Sequence, residues 1–143
     1  MLRELKCADE LNERNYGGYF SDQDLWLMAT QGAARALAMD DAIGVLAVGR
    51  TADIAVFANN GRTHHRAILD ANPGDVALVL RGGEVLSGNA SVVDALESGC
   101  DVISDVCGSD KRACLSREIS KSYSQLLSSV GDLYHLFECG VPE

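Results

Sequence analysis

Three histidines are the first candidates for metal chemistry, because imidazole is the commonest metal-binding side chain. A metal-binding strand uses an H-x-H pair, in which both side chains point to the same side. His64 and His65 are adjacent, and His135 lies among apolar residues without an H-E-x-x-H partner. These histidines are predicted to be ordinary surface or interface residues. The sequence predicts no catalytic, cofactor-binding or metal-binding residue in this chain.

Residues 44–51 differ at one position from the phosphate-binding pattern G-x-x-x-x-G-K-[ST], since Arg50 replaces the lysine. A phosphate loop follows a strand and opens a helix, whose N-terminal amides bind the phosphates. Here a predicted helix precedes the segment and a predicted strand follows it. Nucleotide binding is therefore disfavoured, and the two glycines are expected to form turns before a strand.

Asp53 is unusual because it begins an otherwise apolar strand. A carboxylate in such a place needs hydrogen-bond partners, so we predict that it accepts bonds from a turn or the backbone. Serines between residues 116 and 129 lack a G-x-S-x-G elbow and a matched His/Asp pair. The remaining acids of interest are expected to be solvated, namely Asp40, Asp41, Asp101, Asp105 and Asp110.

Five cysteines are an odd number, so at least one is unpaired within a monomer. No C-x-x-C motif is present, which disfavours a local zinc or thioredoxin-like site. The even spacing of Cys100, Cys107 and Cys114 leaves a disulfide or metal role open, and thiols in a reducing compartment are favoured. The expected localisation is cytoplasmic.

The length and the net charge of the chain restrict the class of protein to which it can belong. The 143 residues suit one domain with a workable core. No apolar run reaches the roughly 18–20 residues that cross a bilayer, and the charged N-terminus does not resemble a signal peptide. The net charge of −9, with Lys111-Arg112 as the largest basic cluster, disfavours nucleic-acid binding. No nucleic-acid or membrane partner is expected.

Two helices are predicted before residue 40. Apolar residues at three-residue steps indicate a helix over 1–14. A second helix over 21–38 begins with a capping box between Ser21 and Asp24, and Phe20 faces Leu25 as a hydrophobic staple. Its predicted buried face comprises Leu25, Met28, Ala29, Gly32, Ala33, Ala36 and Leu37.

The rest of the chain alternates between strand and helix patterns. Gly82-Gly83 predicts a tight hairpin turn. The predicted strands are 52–57, 76–80, 84–86, 101–106 and 113–115, and the predicted helical segments are 64–70, 91–97 and 117–137.

A compound pattern across residues 2–88 resembles the C-terminal signature of the amidohydrolase superfamily, which includes the cyclic-amidine and triazine hydrolases and imidazolonepropionase. A helix with small residues, here Ala29-Thr30 and Ala33, precedes the pattern G-x-L-x-x-G-[KR]-x-A-D and an apolar strand. The second part reads Ile43-Gly44-x-Leu46-x-x-Gly49-Arg50-x-Ala52-Asp53-Ile54-x-Val56. Val79-Leu80-Arg81-Gly82-Gly83-Glu84-Val85 is similar to the hairpin that commonly follows, and residues 100–115 are similar to a tail of some bacterial members.

The resemblance implies an α+β fold class. The chain would contain the C-terminal helices of a (β/α)₈ barrel, the return strands of a composite β-sandwich and a helical C-terminal extension. Residues 1–39 would be the last helical segments of an incomplete barrel, 40–88 the composite-domain strands and 89–143 the extension with a long helix. Active sites of such barrels lie at the C-terminal ends of the strands.

The resemblance also implies chemistry that this chain lacks. Family enzymes hydrolyse non-peptide carbon–nitrogen bonds with a divalent, zinc-type metal held by an H-x-H, further histidines and an aspartate. None of these ligands has a counterpart here. We therefore expect a C-terminal fragment that is inactive alone and that binds the remainder of the barrel or self-associates through exposed strand edges. Whether Met1 is a true start is left open.

The alternative is an independent binding or assembly module that oligomerises through the C-terminal helix. It is motivated by the segment after Gly88, which is longer than the sandwich requires.

Overall fold

The computed structural model describes residues 1–131, Phe137 and Cys139. Helices pack beside a five-stranded antiparallel sheet with the order β1-β2-β3-β5-β4. The helices are α1 (Leu2–Tyr16), α2 (Asp22–Leu27), α3 (Ala33–Ala36), α4 (Arg66–Leu69), α5 (Ala90–Leu96), α6 (Leu115–Ile119) and α7 (Tyr123–Val130). The strands are β1 (Ile54–Phe57), β2 (Val76–Arg81), β3 (Glu84–Asn89), β4 (Asp101–Val106) and β5 (Ser109–Ala113).

The two N-terminal helices form as predicted. α1 ends where Gly17 adopts a left-handed conformation with φ 61°, and the capping box of Ser21 and Asp24 begins α2. The buried side chain of Asn12 holds the connection between them. Its Oδ1 accepts from the Phe20 amide at 3.0 Å, and its Nδ2 donates to the Phe20 carbonyl at 2.9 Å.

The predicted buried face of the second helix is wrong in its later part. Leu25 and Ala34 are buried, whereas Met28 and Leu37 are 49% and 66% exposed. A π-helical turn at Met28–Gly32 separates α2 from α3. A π-turn inserts an extra residue into the helix, so the face after it is displaced from the one that 3.6-residue periodicity predicts.

The strands of the first hairpin also form where they were predicted. β2 pairs with β3 with Arg81 opposite Glu84, and β1 pairs with the other edge of β2. Gly82 and Gly83 have φ values of 59° and 88°. Both residues adopt the left-handed conformation that a two-residue turn of type I′ requires, which explains the glycine pair.

The strands after residue 100 extend this same sheet. β5 pairs with β3 with Gly88 opposite Arg112, and β4 lies outside β5. The prediction of a strand over 113–115 is wrong, since β5 is Ser109–Ala113. A tight turn joins the two strands. Residues 101–113 therefore contribute strands to the sheet, while the division into 1–39, 40–88 and 89–143 stays a prediction.

The prediction of one continuous helix over 117–137 is also wrong. α6 ends at Ser120, which has a φ of 55°, and Ser122 then forms a capping box with Gln125 that begins α7. Ser122 favours a new N-terminus because its hydroxyl accepts a bond from the Gln125 amide. The predicted helical residues 132–136, including His135, lie outside the described residues.

The favoured prediction of reduced thiols is wrong for the evenly spaced Cys100, Cys107 and Cys114. Cys100 pairs with Cys114 and Cys107 pairs with Cys139, which leaves Cys7 as an exposed thiol. Cys100 directly precedes β4 and Cys114 directly follows β5, and Asp101 lies opposite Ala113. The register of the two strands therefore brings the two cysteines together, with their Cα atoms 4.2 Å apart.

Three apolar clusters form the core of the described residues. Leu5, Leu25 and Leu69 pack together among the helices. The other two clusters lie on the sheet, one made of Val85, Val93 and Cys114 and one of Ile103, Val106 and Ala113. Among the described residues, no helix combines the length and the apolar character that crossing a bilayer demands.

The disulfides predict the thiol content of the purified chain. We expect one titratable thiol, that of Cys7, in denatured but unreduced protein, and five after reduction. Thiol titration and intact mass before and after reduction measure this, because each disulfide gains two hydrogens. Five thiols in the unreduced chain would contradict the assigned pairs, and Cys7→Ser is the control that removes the single free thiol.

Candidate functional site

Asp53 holds the β2–β3 hairpin turn, which confirms its predicted role. Its Oδ1 accepts from the Gly82 amide at 2.7 Å, while the Gly83 amide donates to the Ala52 carbonyl at 2.9 Å. The adjacent alanine and aspartate therefore bind both glycines of the turn. This pair positions the hairpin beside the start of β1.

The glycine-flanked loop before β1 is built as a set of turns. Gly44 and Gly49 have φ values of 91° and 84°, and the Thr51 amide donates to the Ala42 carbonyl at 2.9 Å. The Arg50 guanidinium donates to the backbone carbonyl of Asp40, so it serves the loop itself. β1 follows, as predicted, and the helix that a phosphate loop would open does not form at this place.

Gly44 also allows the loop to approach the second helix closely. A Cβ atom built at Gly44 would lie 2.6 Å from the Cβ of Ala34, a separation that real Cβ atoms essentially never show. Small residues at both positions let the loop and the helix touch, and the positive φ of Gly44 independently favours glycine. The small side chains at Ala34 and Gly44 are thus a packing requirement.

The two described histidines, His64 and His65, are not arranged as metal ligands. His64 is exposed and has a φ of 50°, whereas the ring of His65 lies 4.7 Å from that of Trp26. His135 lies outside the described residues. Within residues 1–131, Phe137 and Cys139, no group of three or more His, Cys, Asp or Glu side chains could hold a metal ion. The described side chains therefore do not fit a divalent ion.

The strongest charge cluster centres on Arg66 of α4. Its guanidinium donates to Asp9 of α1 at 2.6 Å and to Asp22 of α2 at 3.0 Å, and Asp70 lies 3.4 Å away. The hydrogen bonds that Arg66 donates to Asp9 and then to Asp22 raise the pKa of Arg66, while partial burial opposes them. The guanidinium remains charged and joins three helices. It is a structural cation without acid–base capacity.

Lys111 is a buried cation on β5, only 6% exposed. Its Nζ donates to the carbonyls of Gly74 and Val76, each at 2.7 Å, and to Oδ1 of Asn89. These three acceptors match the three donors of an ammonium group. Burial lowers the pKa of Lys111, and the nearby negative charge of Asp75 opposes that shift.

A cavity of about 740 Å³ lies beside this lysine. One wall is the sheet, another is the start of α1, and a third is the segment that we name the C-terminal arm, residues 114–139 as far as they are described. The sheet contributes mainly apolar side chains, and polar groups come from the start of α1 and from β5. The apolar lining includes Leu2, Val76, Val79, Leu86, Ile103, Leu115, Tyr123, Leu126 and Phe137, and the polar lining includes Arg3, Glu4, Lys6 and Arg112.

The role of Asp53 was predictable from the sequence, whereas those of Lys111 and Arg66 were not. Asp53 was visible because an acid stood in an apolar strand. Lys111 was missed because Asp110-Lys111-Arg112 reads as a solvated charge cluster, although in β5 Lys111 shares a face with the buried Ala113. The partners of Arg66 in α2 and α1 lie 44 and 57 residues away in the sequence, so no local pattern indicated them.

The sequence model of the Amidohydrolase family matches residues 1–86, which is more than half of the chain. The matched region ends within the hairpin strand β3 and includes the loop, Asp53 and the paired glycines described above. The chain belongs to the amidohydrolase family, a family of hydrolases. No curated protein matches the sequence.

Replacing Asp53 tests whether this carboxylate holds the hairpin. Asp53→Ala removes the acceptor of the Gly82 amide, and we expect a loss of about 1 kcal/mol in the free energy of unfolding, since the exposed site allows water to replace the bond. Asp53→Asn keeps an acceptor and should lose less. Urea unfolding measures both, with the exposed Asp41→Ala as the control. Equal stability of Asp53→Ala and the parent would show that the bond contributes nothing.

Replacing Lys111 tests the buried cation. Lys111→Met leaves three acceptors without their donor, and we expect a loss of about 2–3 kcal/mol, whereas the exposed Lys121→Met should change little.

The lowered pKa of Lys111 also predicts a pH dependence. Because the folded chain binds this proton less tightly than the unfolded chain, the stability of the parent relative to Lys111→Met should rise as the pH increases toward the ordinary lysine pKa. Urea unfolding at several alkaline pH values measures the difference. A difference that is constant or falls with pH would contradict the assignment.

Proposed function

We propose that this chain is the C-terminal part of a metal-dependent hydrolase that acts on non-peptide carbon–nitrogen bonds, and that it is inactive alone. The observation that carries the proposal is the family match over residues 1–86, in which Asp53 and the glycine pair serve the fold and not the chemistry. Residues 1–39 would be the last helical segments of the barrel, and residues 40–88, with β1 to β3, would be return strands of the composite sandwich. Triazine hydrolases and imidazolonepropionase are the proposed subtype.

The chemistry of the described side chains supports the inactivity. Arg66 and Lys111, the two most strongly engaged cations, donate to carboxylates and carbonyls of the chain itself. The histidines are not grouped with other ligands in the described part of the chain. No catalytic step is therefore assigned to these residues, and water activation is proposed to belong to the remainder of the enzyme.

The edge strand β1 is the surface that we propose for binding that remainder. This strand is at one edge of the sheet, so one of its sides is not paired with another strand of the described residues. Val56 is 45% exposed on β1, and Leu46 and Val48 are exposed in the loop before it. An edge strand beside apolar side chains is suited to pairing with another strand, from the remainder of the barrel protein or from a second copy.

The alternative function, an independent assembly module, is favoured by one observation. Residues 101–113 add two strands to the same sheet, so the segment after Gly88 is integrated into the fold. The proposed oligomerisation through a long C-terminal helix has less support, because α6 and α7 are separate and α7 lies along the cavity.

The oxidation state of the cysteines bears on the localisation of the chain. Disulfides persist in oxidising compartments, whereas cytosolic thiols are kept reduced. The proposed cytoplasmic localisation therefore applies to a chain whose four paired cysteines are reduced. The thiol content of protein alkylated directly in cells distinguishes the reduced chain from the disulfide-bonded chain.

Purified chain supplied with zinc provides the test of the proposed function. We expect substoichiometric zinc after gel filtration and no hydrolysis of a cyclic amide above the rate of buffer. The same preparation should self-associate at micromolar concentration, as measured by analytical ultracentrifugation. Val56→Lys should reduce this association, because it places a charge beside the β1 edge.

The matched control is Val102→Lys, which places a charge on an exposed position of β4 at the opposite edge of the sheet. Stoichiometric zinc together with turnover would overturn the proposed inactivity. A monomer that melts cooperatively without partners would favour the independent module.

A further inference from the structure

We propose that Asn60 is a site of spontaneous covalent modification, at which the Gly61 backbone nitrogen attacks the side-chain amide and water then completes its conversion to a carboxylate. The product places a negative charge beside Asp75, in the connection between β1 and β2. This inference goes beyond the proposed function and does not depend on it.

Asn60 and Gly61 are the two central residues of a tight turn over residues 59–62. The Arg62 amide donates to the Asn59 carbonyl at 2.8 Å, and Asn60 and Gly61 have φ values of 47° and 79°. A type I′ turn requires positive φ at both central residues, and Asn-Gly is a preferred pair for it. The backbone conformation therefore explains why these two residue types stand together.

The same pair is reactive, because glycine has no side chain to obstruct its own amide nitrogen. Asn60 and Gly61 are both exposed, and a Cβ atom built at Gly61 would meet no described atom within 4 Å. The hydrogen bond that closes the turn uses the Arg62 amide, one residue after the attacking nitrogen. Water and base therefore reach the reacting atoms in the folded chain.

The reaction balances with water as the only added reactant. The Gly61 nitrogen loses its proton to solvent and forms a bond to Cγ of Asn60, and the bond between Cγ and Nδ2 breaks. The side-chain nitrogen takes up a proton and leaves as ammonia, so that a cyclic imide joins the two residues. Water then opens the imide at either carbonyl, which gives aspartate or an isoaspartate with a longer backbone.

The new carboxylate would lie beside another carboxylate. In the unmodified chain, Nδ2 of Asn60 donates to Oδ1 of Asp75 at 2.5 Å, and the Asp75 side chain is only 12% exposed. Modification removes this donor and places two negative charges against each other. Arg62 lies 3.7 Å from Asp75 and 3.4 Å from Asp70, so its charge is shared between them and offsets only part of the repulsion.

Asp75 connects this turn to the buried cation of the sheet. The Ala58 amide donates to the Asp75 carbonyl at 2.8 Å, which joins the end of β1 to the segment before β2. The residues on either side of Asp75, Gly74 and Val76, supply carbonyls to Lys111. Repulsion that displaces the Asp75 side chain would therefore loosen the start of β2 and accelerate its amide hydrogen exchange.

Incubation of the native chain at mildly alkaline pH tests the chemistry. Peptide mapping by mass spectrometry should find the amide-to-acid mass gain severalfold sooner at Asn60 than at Asn59, the exposed neighbour that is followed by Asn60 instead of glycine. The gain at this position should be absent in Asn60→Gly, which keeps a residue suited to positive φ. Equal rates at Asn59 and Asn60, or no modification at Asn60, would overturn the proposal.

Asn60→Asp tests the consequence of the new charge, with Asn59→Asp as the matched control that adds the same charge to the adjacent residue. We expect amide exchange of residues 72–76 to accelerate severalfold in Asn60→Asp and to stay near that of the parent in Asn59→Asp. The urea midpoint should fall in the first variant and change little in the second. Unchanged exchange and an unchanged midpoint in Asn60→Asp would contradict the proposed repulsion at Asp75.

Discussion

The buried ammonium of Lys111 is the interaction on which the sheet depends. It reaches from β5 to the carbonyls before and at the start of β2 and to the side chain at the end of β3. A cation inside the protein is costly unless its donors are satisfied, and here three acceptors satisfy all three donors. The close approach of Gly74 to the carbonyls of Val106 and Cys107 belongs to the same arrangement, since a Cβ there would lie 2.7 Å from the Cys107 oxygen. One side chain therefore connects the strands inside the family match to those outside it.

The family signature has a physical explanation that does not involve catalysis. Gly44 lets the loop lie against Ala34, and Asp53 holds the turn at Gly82 and Gly83. These residues position the helices, the loop and the hairpin relative to one another. A pattern that identifies a hydrolase family can thus be retained for its fold in a chain whose described residues offer no metal site.

Local patterns made much of the fold predictable. The capping box at Ser21 and the glycine pair of the hairpin act within a few residues, and the acid at position 53 is recognisable because its type is unusual in an apolar strand. These predictions are confirmed. The displaced helix face, the disulfides and the buried lysine were not predictable in the same way. The helix face depends on the π-turn at Met28–Gly32, and the Cys100–Cys114 disulfide depends on the register of β4 and β5. The buried lysine depends on acceptors more than twenty residues away. The periodicity and spacing of residues in the sequence do not predict these features.

The short helix α4 determines how the N-terminal helices are placed relative to the sheet. This single turn lies in the connection from β1 to β2, and it carries both Arg66 and Leu69, which is 1% exposed. Arg66 binds α1 and α2 through charge, while Leu69 packs with Leu5 and Leu25. The charged and the apolar contacts that α4 makes with α1 and α2 therefore come from the same four residues. A change in the length of the loop on either side of α4 would therefore shift the charged and the apolar contact together, while the hydrogen bonds within each layer would be untouched.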